Sequence, residues 1–134
     1  MGLLDKYVLE SDFQASIIEM ATLFRWRHYH THDSRRSVSG FPDLVLLRNG
    51  VLVVAELKKV GKYPTLAQME WLIDFHLAGA DAYVWTPKDW GTIEIVLRGH
   101  PGSCHAQVAD SSLYNYLQSE KHRWPLLDVP NVLL

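Results

Sequence analysis

GFPDLVLLRNGVLVVAELK, residues 40–58, is the stretch on which the fold turns. Asn49-Gly50 is the strongest short signal for a two-residue β-hairpin turn, because both central positions take positive φ, which glycine accepts and asparagine tolerates. Two short apolar runs flank it, Leu44 to Leu47 and Val51 to Ala55. Both are rich in residues that suit a pleated strand. Neither alternates with polar residues, so both faces of the hairpin are expected to be buried. With a two-residue turn, Arg48 faces Val51, Leu47 faces Leu52, Val45 faces Val54 and Asp43 faces Glu56. Directly opposed Cβ atoms lie roughly 4.5–5.5 Å apart. Lys58, two residues beyond Glu56, shares its face.

Two carboxylates so placed repel, and at the ends of buried strands an uncompensated charge costs several kcal/mol. Lys58 neutralises only one of them. A divalent cation compensates both: Mg²⁺ takes oxygen ligands and is commonly held by one or two carboxylates plus substrate phosphates. Such an ion polarises a phosphodiester and acidifies water, while Lys58 can orient that water or stabilise charge on the phosphorus oxygens. A slip of one residue in the register would separate the groups.

Working outward, Ser11 or Asp12 is read as the cap of a first helix carrying Phe13, Ile17, Met20, Ala21 and Phe24 at helical spacing. His28 to Thr31 reads as a short strand and His32 to Gly40 as a polar loop. After the hairpin, Pro64-Thr65 opens a helix that runs to about Ala78 and stops at Gly79. Ala82 to Thr86 is a fourth strand, Asp89 to Leu97 a short helix or turn, and Ser112 to Ser119 a weak helical pattern. The expected fold is therefore α/β: a mixed sheet with helices on both faces, one domain with a core over about 11–98 and an extension over 99–134 of unassigned role.

Composition limits the function classes. The 134 residues suit one modest core, no apolar run approaches the length of a membrane span, and the N-terminus lacks a secretory pattern. A single cysteine, Cys104, gives no internal disulfide and points to a reducing, cytoplasmic setting. The net charge is −2, yet Arg25 to Lys62 holds eight basic and three acidic residues, a local excess of five positive charges around the carboxylate pair. That stretch is where a phosphate backbone would be guided.

Gly40-Phe41-Pro42-Asp43-Leu44, then Glu56-Leu57-Lys58, then Gln68 in the following helix, resembles the VRR-NUC nucleases of the PD-(D/E)xK phosphodiesterase superfamily. The likeness spans about Ser11 to Trp90 and includes the strand ending Trp85-Thr86-Pro87 and the Asp89-Trp90 pair. It implies a restriction-endonuclease-like αβββαβ core. It also implies Asp43 and Glu56 as Mg²⁺ or Mn²⁺ ligands, helped by the Leu57 carbonyl, with Lys58 catalytic and Gln68 supporting. It further implies an acid from the first helix, for which Asp12 is the candidate and Glu19 the second. Stand-alone domains of this size resemble those of bacteriophages, associated with branched DNA and homodimers. The implied activity is thus DNA cleavage, at junctions or flaps, in the bacterial host cytoplasm.

Several residues carry competing readings. Thr65-Leu66-Ala67-Gln68 is a capping box, which gives Gln68 a structural role beside the active-site one. His28, His30 and His32 share one strand face and could hold zinc, and His30-Thr31-His32-Asp33 faintly matches a metallo-β-lactamase pattern, but Ser34 stands where a further histidine belongs. A surface strand face is the preferred reading. Arg35, Arg36, Lys59 and Lys62 are candidates for phosphate contact. Trp71 and Trp85 are read as core. The rival functions are a DNA-structure-binding module that no longer cuts, and a structural protein in which Asp43, Glu56 and Lys58 form an ordinary ion network.

Overall fold

The computed structural model describes residues 9–32, 36–99 and 113–133. Its elements are α1 (Glu10–Leu23), β1 (Arg27–His30), β2 (Leu44–Arg48), β3 (Val51–Leu57), α2 (Leu66–Leu77), β4 (Asp81–Trp85), α3 (Trp90–Arg98) and α4 (Leu113–Glu120). The strands form one mixed sheet in the order β1-β2-β3-β4. The first three run antiparallel, and β4 lies parallel to β3 after the α2 crossover. This is an α/β architecture compatible with an αβββαβ core.

The hairpin has the expected register, with Arg48 opposite Val51 and Leu44 opposite Ala55. Asn49 and Gly50 both take positive φ, at 49° and 78°. Because β3 is central, its alternate residues feed two cores. Val53, Ala55 and Leu57 pack with Phe13, Ile17 and Ala21 of α1 and Ile93 and Leu97 of α3. On the other face Val54 packs with Met69 and Leu72 of α2 and Leu113 and Leu117 of α4. Residues 113–133 thus complete a core: Trp124 and Leu133 are buried in the second cluster, and the Trp124 indole donates to the Pro64 carbonyl at 2.7 Å.

The first helix departs from expectation at its start. It begins at Glu10, with Leu9 in the capping position and no side-chain cap, so Ser11 and Asp12 lie inside the first turn. The second helix begins as expected, with the reciprocal capping box between Thr65 and Gln68.

Arg48, counted within the basic stretch, is committed to structure. It stacks on Trp26, with 4.6 Å from guanidinium carbon to ring centroid. It donates to the carbonyls of Phe24 and Leu97 at 3.0 and 2.9 Å. A cation thereby closes the C-terminal ends of α1 and α3, where free carbonyls and the helix dipole favour positive charge.

Candidate active site

The site forms where β2 begins and β3 ends. Gly40 sets the approach: its φ is +87°, and a Cβ there would lie 2.6 Å from the Ala67 carbonyl carbon in the first turn of α2. Phe41 then packs edge-on against Trp71 and Phe75 of α2, at 5.2 and 5.8 Å between centroids. The Trp71 indole donates to the Ser39 carbonyl at 3.1 Å. Residues 39–41 are therefore pinned to α2, and Asp43 enters the sheet in a fixed place.

Asp43 and Glu56 come together as the register requires. Past the Leu44–Ala55 pair no ladder bond joins them; instead Leu57 N–H donates to Asp43 Oδ2 at 2.8 Å, and the Asp43 carbonyl accepts from Thr31 N–H at 3.0 Å. Glu56 lies on the α2 face of β3, by alternation with Val54, and is 2 % exposed. Lys58 Nζ approaches Glu56 Oε1 to 3.8 Å, and its side chain is 18 % exposed. Glu56 Oε2 is buried without a hydrogen-bond partner. Burial first, then the charge of Asp43 and a hydrogen bond to it, push the Glu56 carboxyl up to about 9 against the opposing pull of Lys58.

Pro42 has a clear part in this geometry. In an antiparallel ladder a hydrogen-bonded residue presents its N–H and C=O to the same neighbour. Leu57 N–H points toward β2, so its carbonyl does too. The residue opposite by register is Pro42, which has no N–H to give. The Leu57 carbonyl is thus left facing the carboxylates with no ladder donor from residue 42.

The residue missed in the sequence is Glu10. Its carboxyl is raised by partial burial and by Asp43, and lowered by Lys58 and Lys59; its charge is also felt by Glu56. Glu10 is a first-helix acid whose charge is coupled to both Asp43 and Glu56. Asp12 stands about 200° around the helix and Glu19 nine residues on, about 180° away, by the period of 3.6; all three acids are exposed. Glu10 precedes Phe13 by three and Ile17 by seven, so it stands one turn before them on the same helix face while remaining exposed itself. Reading a cap at Ser11 or Asp12 cut that turn off.

Gln68 is held by the capping box, its Oε1 accepting from Thr65 N–H at 2.8 Å. What it can offer the site is its amide N–H pair. Lys59 and Lys62 are exposed on the loop after β3, and Arg36 is exposed before Gly40; Arg35, Asp33, Ser34 and Cys104 lie outside the described residues. His28 and His30 share a face of the edge strand, and the His30 and His32 rings are 4.2 Å apart. Among the described residues no three His, Cys, Asp or Glu side chains form a group that could hold a metal ion. Trp85 is core, stacked on Tyr83 at 5.1 Å.

The donor set fits a hard divalent cation. Two carboxylates and one carbonyl are all oxygen, and Mg²⁺ or Mn²⁺ would complete its shell with water and phosphate. The orphaned Glu56 Oε2 is the oxygen in need of a partner. No family model, curated protein or solved structure matches the chain. Among the described residues no helix is long and apolar enough to cross a membrane.

Proposed function

We propose that this chain is a Mg²⁺- or Mn²⁺-dependent endonuclease that hydrolyses DNA phosphodiester bonds, of the VRR-NUC type in the PD-(D/E)xK superfamily. One observation carries the proposal: a fully buried carboxyl, Glu56, is set against Asp43 with one oxygen unpartnered. A fold does not maintain so costly an arrangement for packing alone.

In this reading Asp43, Glu56 and the Leu57 carbonyl hold the cation, which when bound supplies Lewis-acid polarisation of the scissile phosphate. Glu10 adds negative charge from the first turn of α1. The Lys58 ammonium, partly exposed beside Glu56, orients the attacking water and balances charge developing on the phosphorus oxygens. Gln68 donates from its amide N–H pair while its carbonyl caps α2. Arg35, Arg36, Lys59 and Lys62 guide the backbone. Branched DNA and a homodimer are the substrate and assembly that go with this reading, since two sites related by a two-fold axis suit a four-way junction.

The test is cleavage of linear duplex, flap, splayed-arm and four-way DNA with Mn²⁺ or Mg²⁺. The wild type should cut at least one. Lys58→Ala should slow cutting by about a hundredfold or more, the scale of removing one group that stabilises transition-state charge. If neither form cuts yet both bind DNA, the chain is a binding module. If calorimetry detects no cation binding that depends on Asp43 and Glu56, the three residues are an ordinary ion network.

A further inference from the structure

The segment after α4 is fastened to the loop that leaves the site. Trp124 is buried and its indole bonds Pro64. Beside this anchor runs a groove of about 340 Å³, lined by Pro64, Thr65, Leu66, Arg123, Pro125 and Leu126 together with Trp124. Its walls are mostly apolar, and Leu126 stands 84 % exposed at it. Its one cation is Arg123, whose guanidinium lies 3.4 Å over the Tyr63 ring. Arg123 Nε–H donates to Glu120 Oε2 at 2.5 Å. The terminal amino groups are the donors that a phosphate would take.

The groove's place is informative. Pro64 is six residues from Lys58, so at most about 20 Å of chain separates them. Exposed Lys59 and Lys62 lie between.

We propose that the groove receives unpaired nucleotides of a DNA strand extending from the active site, with a base against the proline and leucine walls and its phosphate on Arg123. The proposal rests on the nuclease reading and deepens it by naming the unpaired part of the substrate. A nucleotide matches the groove at both its base and its phosphate. Its base is a flat, largely apolar face that the apolar walls can cover whatever its identity. Its phosphate matches the planar guanidinium that Tyr63 and Glu120 hold in place. Lys59 and Lys62, both exposed, lie on the chain between Lys58 and the groove.

The test compares binding of a blunt duplex with the same duplex carrying a short single-stranded tail, by fluorescence anisotropy, with Ca²⁺ in place of Mg²⁺ or Mn²⁺. The wild type should bind the tailed duplex about tenfold more tightly. Leu126→Glu and Arg123→Gln should each erase most of that difference and leave blunt-duplex binding unchanged. Both side chains are substantially exposed, so thermal melts should confirm that the variants fold. Equal binding of the two duplexes by the wild type, or a preference that survives both substitutions, overturns the proposal while the nuclease reading stands. A change confined to the protein's own stability would assign the groove to packing and overturns it too. Should the wild type bind and cut no DNA at all, the nuclease reading fails and takes this proposal with it.

Discussion

Glu56 is the buried carboxyl on which the proposed chemistry rests, and its protonation makes a testable link to stability. Its folded-state carboxyl titrates near 9, against an ordinary value of 4.5. Between those values the native state keeps a proton that the unfolded chain has released. Native stability from this group therefore falls as pH rises through that window. Glu56→Gln removes the dependence. Its metal-free melting temperature should exceed wild type by about 4 °C or more at pH 8, the scale of one kcal/mol in a domain of this size, with little difference near pH 4. Adding Mn²⁺ at pH 8 should raise the melting temperature of wild type only, since binding to the native state alone stabilises it. A variant that melts no higher than wild type at pH 8 would show that Glu56 is not strained. Glu10 belongs to the same electrostatic group. Glu10→Gln should raise the Mn²⁺ concentration needed for half-maximal cleavage by about tenfold, the lower end for outer partners of a metal. Asp12→Asn is the control and should leave it unchanged.

At the scale of elements, the decisive junction is the close approach of Gly40 to the start of α2. A methyl group at residue 40 would enter space held by the Ala67 backbone, in a backbone conformation that L side chains rarely adopt. Gly40→Ala should therefore destabilise the fold by more than about 1 kcal/mol, through strain and displacement together. It should also weaken Mn²⁺ binding, because Phe41 and Asp43 follow directly on the chain. Denaturant unfolding and calorimetry on the same protein measure the two effects. Loss of stability with unchanged cation affinity would mean that Asp43 is positioned by the sheet alone. The hairpin itself was legible: Asn49-Gly50 set a two-residue turn, and the turn set every pair to Leu44–Ala55. The start of α1 was not, because Ser11 and Asp12 are good capping types and draw the expected start past Glu10, where the helix in fact begins.

At the scale of the molecule, the sheet is closed on its second face by residues distant in sequence. Trp124 and Leu133 pack with Val54 of the central strand's face and with α2. The C-terminal segment thus supports the helix against which Phe41 packs. Trp124→Ala should cost about 3 kcal/mol or more, the range for emptying a buried aromatic site. Urea unfolding should show the loss with cooperativity retained. A cost below about 1 kcal/mol would indicate that the segment merely rests on the surface, since surface changes fall in that range.

Local sequence determined what local physics can determine. Turn chemistry and hydrophobic period fixed the hairpin, the face shared by Asp43, Glu56 and Lys58, the capping box of α2 and the α/β order. Tertiary structure alone decided that the charge of Glu10 is felt by the carboxylates, that Arg48 serves two helix ends, and that residues 113–133 complete a core and shape a groove beside the Lys58 loop. Each of these joins residues far apart in the chain, and such contacts are set by packing among elements, which no spacing within one element encodes.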